Sequence, residues 1–116
     1  MKEKEDLELK KLGQFYGTEQ YHSVLGSDVT DGIMYLMHNG YSWFITDTLV
    51  TLKMKDKVKN EDFVSIKLNV IGDKASVVME DGNGNKLYSQ KYEYTNVKRE
   101  LKLFYTNNVL MLAGEY

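Results

Sequence analysis

The chain has 116 residues, with 15 basic and 17 acidic side chains, a net charge of -2, no cysteine and no proline. This length predicts one domain with a single hydrophobic core. The absence of cysteine excludes disulfides, thiolate metal sites and a cysteine nucleophile, and it suits the cytoplasm. The near-neutral charge gives no general attraction to nucleic acid, and no segment reaches the roughly 18 apolar residues of a membrane span. We therefore expect a cytoplasmic protein that does not enter a membrane.

Helical periodicity marks the first half of the domain, about residues 5–57. Leu9, Leu12 and Tyr16 fall on one face of a predicted first helix, which Gly17 ends. Residues 30–40 predict a second helix, with Thr30 as its N-cap and an Asn-Gly pair as its C-terminal stop.

A third helix is predicted to start from Ser42 as its cap. Its apolar residues fall on two nearly opposite sides, Trp43, Val50 and Met54 on one and Ile45, Leu49 and Leu52 on the other. A helix with two apolar sides is expected to lie between other elements. The threonines of this segment keep a strand as the alternative.

The second half, about residues 62–112, changes to a period of two. Val64, Ile66 and Leu68 alternate with polar residues, and further β-rich runs follow at 75–79, 86–95, 100–105 and 109–112. Five short strands with close connections indicate an antiparallel meander. The predicted fold class is α+β, with N-terminal helices packed on a C-terminal antiparallel sheet of about five strands.

The segment Asp81-Gly82-Asn83-Gly84-Asn85 offers two interpretations, a calcium loop or a tight turn. An EF-hand loop that starts at Asp81 needs Gly at its sixth position and Glu at its twelfth, but Lys86 and Tyr92 stand there. Asp-Gly and Asn-Gly accept the positive φ of hairpin turns. We therefore predict a hairpin and no metal or other cofactor.

Two weak constellations contain the ingredients of a chemical site. His22 and Ser23 with Asp28 or Asp31 resemble the parts of a hydrolase triad, yet no Gly-x-Ser-x-Gly elbow presents the serine. A metal could be held by His22, His38, Glu19 and Asp31, whose spacing fits no ligand motif. We predict no catalytic residue and no metal ligand.

Two lysine clusters could contact phosphates. The first contains Lys53, Lys55, Lys57 and Lys59, and the second contains Lys98, Arg99 and Lys102. Lysines also protect exposed sheet edges from aggregation, and the near-neutral total favours that role, so we expect nucleic acid to be an unlikely partner.

Tyr88, Tyr92 and Tyr94 are predicted to share one face of a strand. Tyrosine supplies a large contact area at low entropic cost, which suits a protein-binding surface. Packing beneath the helices is the competing explanation.

Several short motifs occur in a characteristic order. They are FYGTEQYH (15–22), TDG (30–32), a tryptophan segment with Trp43 and Asp47, EDGNGN (80–85), EYT (93–95) and the terminal GEY (114–116). In this order they resemble an uncharacterised bacterial domain-of-unknown-function family that is found in genomes, plasmids and phages.

The resemblance implies no reaction and no catalytic residue. It implies a gene of phages or mobile elements, where small proteins often bind a host protein, among them inhibitors of CRISPR nucleases and other defence systems. Our first hypothesis is a non-catalytic module that binds a host or phage protein. Alternatives are a nucleic-acid-binding protein that uses the lysines and an enzyme that uses acids such as Glu19, Asp31 and Asp47; homo-oligomerisation stays open.

Overall fold

The computed structural model describes residues 20–93 and 99–116. The described strands are β1 (His22–Val24), β2 (Ser27–Val29), β3 (Phe63–Ile71), β4 (Lys74–Asp81), β5 (Lys86–Tyr92), β6 (Leu101–Thr106) and β7 (Val109–Leu112). The α-helices are α1 (Asp31–Leu36) and α2 (Ser42–Met54), with a kinked helical segment (Met37–Tyr41) between them and a 3₁₀ turn (Ala113–Glu115) after β7. The predicted helix with Leu9, Leu12 and Tyr16 lies outside the described residues. The fold is α+β, with a mostly antiparallel sheet.

Helix α1 begins where its sequence predicts and ends at Leu36, and the kinked segment after it carries the helical backbone up to Asn39. The Thr30 hydroxyl oxygen accepts a hydrogen bond from the Ile33 N–H at 3.4 Å, and Asp31 lies in the first turn, where a negative charge favours the helix dipole. Asn39 and Gly40 have non-helical backbone angles, with φ of 94° at Gly40. The Thr30 cap and the Asn-Gly stop are confirmed.

Helix α2 follows directly after the kink, and this changes its predicted start. Ser42 is the first helical residue rather than the cap, and Tyr41 before it makes no side-chain cap hydrogen bond. Tyr41 has a ψ of 13° and so lacks the extended backbone from which a capping side chain reaches the helix. The helix itself is confirmed over the strand alternative. The Thr51 hydroxyl donates a hydrogen bond to the Asp47 backbone carbonyl at 2.9 Å, which satisfies this polar group within the helix.

The described strands form one seven-stranded sheet in the order β1-β2-β7-β6-β3-β4-β5. Neighbouring strands are antiparallel except β2 and β7, which run parallel. The β6–β7 turn contains Asn107 and Asn108 at φ of 52° and 63°, which confirms the predicted left-handed turn.

The sheet differs from a five-stranded meander in two respects. First, β6 pairs with β3 rather than with β5, so β3 lies between β4 and β6. Second, β1 and β2 form a hairpin around Leu25 and Gly26, and β2 adds to β7. Strands of three residues are too short to produce a readable alternation. The half of the chain that was predicted to be helical therefore contributes two strands.

The helices cover one face of the sheet, which we call the inner face. Val64, Ile66 and Leu68 of β3 are fully buried there, which confirms the predicted alternation. The same core contains Ile33 and Leu36 of α1 and Phe44, Ile45, Leu49 and Leu52 of α2. In the described part of the chain, no helix has the length and apolar character needed to cross a membrane.

Candidate functional site

Tyr92 at the end of β5 joins the sheet to α2. Its ring lies edge-on to Trp43, with ring centroids 5.2 Å apart, and its hydroxyl donates a short hydrogen bond to the Asp47 carboxylate. Burial, together with this hydrogen bond, raises the pKa of the Tyr92 hydroxyl well above its ordinary value. The tryptophan and aspartate of one sequence motif therefore meet at a tyrosine that lies 45 residues beyond Asp47.

Tyr88 lies on the same face of β5, four residues before Tyr92. Its hydroxyl donates to the Gln90 side chain at 2.7 Å, and the Lys55 Nζ stands 5.6 Å from the centre of its ring. Tyr88 and Tyr92 pair with Met79 and Ala75 of the inner face. The shared face is confirmed for these two residues, whereas Tyr94 lies outside the described residues.

Both described tyrosines are half-buried and pack against the core. The helices lie on this inner face, so both rings are partly covered, and protein binding by their exposed parts stays a prediction. Packing explains much of their area. What each ring leaves exposed lies along the edge of β5, beside α2.

Exposed apolar side chains form a stripe on α2 next to these tyrosines. We call Trp43, Val50 and Met54 the α2 stripe; they are 39%, 47% and 72% exposed. Their spacing places them on one side of the helix, opposite the buried Leu49 and Leu52. The expectation that both apolar sides would be covered is wrong for the described part of the chain, because the helices form a single layer on the sheet.

The first lysine run spreads in several directions. Lys53 donates to the Gly26 carbonyl at 3.1 Å and to the Asn108 side chain at 3.2 Å. Lys55 lies over Tyr88, Lys59 pairs with Asp56 at 3.0 Å, and Lys57 is exposed. Lys53 thus holds two turns against the end of α2, a structural role that competes with phosphate contact.

The second basic cluster lies elsewhere. Lys102 is on the face of the sheet that points away from the helices, with its Nζ 5.4 Å from the centre of the Phe104 ring. Arg99 is exposed at the start of the segment before β6, and Lys98 lies outside the described residues. Lys102 therefore lies on the opposite face of the sheet from the lysine run that ends α2.

The histidine and serine that suggested a hydrolase point apart. His22 Nε2 lies 2.9 Å from Asp31 Oδ1, whereas Ser23, the next residue of β1, points to the other face of the strand and stands opposite Asp28. Glu19 lies outside the described residues, and within residues 20–93 and 99–116 no three His, Cys, Asp or Glu side chains are grouped to hold a metal ion. His22 and Asp31 instead tie β1 to the start of α1.

A contact that the sequence did not predict joins two of the motifs. Glu115 accepts hydrogen bonds from the Thr30 hydroxyl at 2.6 Å, the Gly32 N–H at 3.1 Å and the Leu112 N–H at 2.9 Å. A Cβ on Gly32 would lie 2.5 Å from Leu112 Cδ1 and 2.6 Å from Glu115 Oε1, so only glycine leaves room for the carboxylate. We call these four residues the Glu115 cluster. In the sequence, Glu115 is a single acid whose partners, Thr30 and Gly32, lie more than 80 residues earlier, so no local pattern predicted the contact.

The Asp81 turn is the hairpin that its sequence predicts. Asp81 Oδ1 accepts from the N–H groups of Asn83 and Asn85 at 2.8 and 2.9 Å, and Oδ2 accepts from the Asn85 side chain at 3.0 Å. The hydrogen bonds from Asn85 hold the pKa of the Asp81 carboxyl below its ordinary value. Gly84 has φ of 85°, as a tight turn requires. The carboxylate is thus engaged by the turn that it stabilises.

Comparison with curated proteins and with solved structures finds no match. A family model described as "Family of unknown function (DUF6876)" matches residues 6–116. This match covers almost the whole chain, including all the motifs that meet in the Glu115 cluster, the Asp81 turn and the Trp43–Asp47–Tyr92 contact. The chain therefore belongs to the DUF6876 family.

Proposed function

We propose that this protein is a non-catalytic binding module that acts by stoichiometric contact with another protein. The observation that carries the proposal is the α2 stripe, an exposed row of large apolar side chains on a helix of a small domain. Exposed tryptophan and methionine are typical of protein-binding surfaces, where aromatic anchors contribute most of the binding energy.

The structure around the α2 stripe supports this use. Trp43 is held in place by Tyr92 and by Phe44, with ring centroids 5.2 and 6.0 Å away, so its ring is pre-oriented at little further entropic cost. The exposed parts of Tyr88 and Tyr92 extend the same surface toward the edge of β5. The tyrosines of the original hypothesis would then act at the border of the contact rather than at its centre.

The charges beside the α2 stripe support a partner with acidic side chains. Lys55 and Lys57 give the C-terminal end of the helix a positive charge, whereas the Asp47 carboxylate in the middle of the stripe already accepts a hydrogen bond from the Tyr92 hydroxyl. The partner we propose presents an apolar patch that is bordered by acidic side chains. The resemblance to phage and plasmid families makes a host protein, such as a component of a defence system, the candidate we favour.

The polar groups support a non-catalytic role because each has a structural task. Asp31 bonds His22, Asp47 bonds Tyr92, and Glu115 caps α1. In the described part of the chain every buried side-chain nitrogen and oxygen has a hydrogen-bond partner. An enzyme that used Asp31 and Asp47 together would have to draw on two separate clusters.

The test is affinity capture from a bacterial lysate with the wild-type chain and the Val50→Glu variant in parallel. Glutamate has a high helix propensity, so the variant should have the melting temperature of the wild type. It places a charge inside the apolar contact, which should weaken binding. We expect at least one protein to be captured near one-to-one by the wild type and to be lost by Val50→Glu.

Ile71→Glu is the matched control, since Ile71 is an exposed aliphatic residue at the β3–β4 turn, away from α2. It should capture the same partner as the wild type. Equal capture by Val50→Glu, or an effect on the partner at ratios far below one-to-one, would overturn the proposal.

A further inference from the structure

The face of the sheet that points away from the helices, the outer face, carries its own pattern of side chains. Phe63 and Lys67 lie on the outer side of β3, with the buried Ser65 between them, and Lys102 and Phe104 lie on the outer side of β6. Strands β6 and β3 occupy the middle of the seven-stranded order. The outer face therefore presents aromatic and basic side chains at its centre rather than at an edge.

Three aromatic rings meet on this face. Phe63 and Phe104 lie 5.1 Å apart between ring centroids, and the Tyr116 ring stands edge-on to both at 5.5 and 5.3 Å. The terminal dipeptide divides between the two sides of the sheet, because Glu115 caps α1 while Tyr116 turns onto the outer face. Tyr116 is 71% exposed, so the cluster is open to solvent on its terminal side.

Two lysines stand directly opposite each other beside these rings. Lys67 of β3 and Lys102 of β6 are cross-strand partners, an arrangement in which like charges destabilise a sheet. Glu80 offsets the Lys67 charge only weakly, at 3.5 Å, while the Lys102 Nζ lies over the Phe104 ring. Lys91 of β5 is on the same face. A local conflict of this kind is typical of a functional surface and would be relieved by a bound anion.

We propose that the outer face binds single-stranded nucleic acid. A base would stack on the exposed ring of Tyr116, which Phe63 and Phe104 support, and backbone phosphates would lie between Lys67 and Lys102. A flat sheet with rings on its central strands can contact the faces of unpaired bases, which a duplex hides by stacking. This surface is distinct from the Lys53–Lys59 run and from the α2 stripe, so the proposal stands or falls separately from the proposed protein contact.

The test uses the full chain and a fluorescein-labelled oligothymidylate of about 12 nucleotides, since sheet-based binding modules cover about 4–16 nucleotides. Anisotropy is measured from about 50 to about 200 mM salt. We expect binding that weakens with salt, and Tyr116→Ala should weaken it on the order of 10-fold. The double variant Lys67→Gln, Lys102→Gln should reduce the slope of log K against log salt by about 1.4, or about 0.7 per lost phosphate contact.

The matched control is the double variant Lys55→Gln, Lys57→Gln, which removes two exposed lysines on the side of α2 and should leave affinity and slope unchanged. Tyr116 is exposed, so its substitution leaves the core intact, and thermal melting verifies this. The proposal is overturned by no binding at about 50 mM salt, by equal affinity for a duplex of the same length, by unchanged affinity of Tyr116→Ala, or by an equal loss in the control.

Discussion

The Glu115 cluster and the Asp81 turn each surround one carboxylate with hydrogen-bond donors, but they draw these donors from different distances along the sequence. Each is built around one carboxylate that accepts three hydrogen bonds, yet the donors to Asp81 lie within four residues of it, whereas two donors to Glu115 lie 83 and 85 residues away. The turn is exposed and local. The Glu115 cluster joins the end of the chain to the start of α1 around the buried Thr30.

This difference predicts how much each carboxylate contributes to stability. When the Asp81 side chain is removed, water can take its place as the acceptor for the exposed donors of Asn83 and Asn85, so the cost is small. The Thr30 hydroxyl and the Gly32 N–H are buried, and they lose their acceptor with nothing to replace it. The two carboxylates accept equal numbers of hydrogen bonds, but Glu115 should contribute more than Asp81 to the free energy of unfolding.

The largest expected effect is that of Glu115→Ala. It leaves two buried donors without an acceptor and should lower the free energy of unfolding by about 3 kcal/mol, since each such group costs about 1–3 kcal/mol. Urea denaturation followed by circular dichroism measures the change. Glu115→Gln keeps one acceptor oxygen, so its free energy of unfolding should lie between those of Glu115→Ala and the wild type. A loss below about 1 kcal/mol for Glu115→Ala would mean that the cluster contributes no more to the free energy of unfolding than an exposed turn does.

A smaller effect is expected from the backbone of the Asp81 turn. Gly84 has φ of 85° with open space around the position of a Cβ, so Gly84→Val should cost about 1–2 kcal/mol through backbone strain alone. Gly82 is the matched control, because its φ is not positive and a Cβ there would meet Phe63 at an ordinary 3.8 Å. Gly82→Ala should melt close to the wild type. Equal melting temperatures for Gly84→Val and the wild type would show that the turn tolerates the strain.

The smallest effect concerns the charge of Asp81 in acid. Its pKa is lower in the folded protein than the ordinary value, so its stabilising contribution is present above that ordinary value and is lost as the pH falls through the folded pKa. The stability gap between the wild type and Asp81→Asn should therefore be present at neutral pH and close in acid. Thermal melts between about pH 6 and about pH 2 measure it. A stability gap that stays constant across this pH range would show that the ionised Asp81 carboxylate does not stabilise the turn.

The parts of the fold that depend on neighbouring residues could be predicted from the sequence. The Thr30 cap, the Asp81 hairpin and the alternation of β3 each rely on contacts within a few positions, and each was found as expected. The β1–β2 hairpin was missed because its three-residue strands are too short to show an alternation. The pairings of β6 with β3 and of β2 with β7 join strands that are distant in the sequence, which periodicity does not encode.

The candidate sites follow the same division. The common face of Tyr88 and Tyr92 could be predicted, because side chains alternate along a strand. The side of β5 that faces the helices could not be predicted, because it depends on packing against α2, which lies far earlier in the sequence. Likewise, two apolar sides on α2 were visible in the sequence, but only the single helical layer shows that Trp43, Val50 and Met54 stay exposed.

The most direct test of this account compares Glu115→Gln with Val50→Glu in one capture experiment, performed below the melting temperature of both variants. If motif residues maintain the fold and the α2 stripe binds the partner, Glu115→Gln should melt at a lower temperature yet retain the partner. Val50→Glu should melt with the wild type and lose the partner. Loss of the partner by folded Glu115→Gln, or its retention by Val50→Glu, would contradict the account.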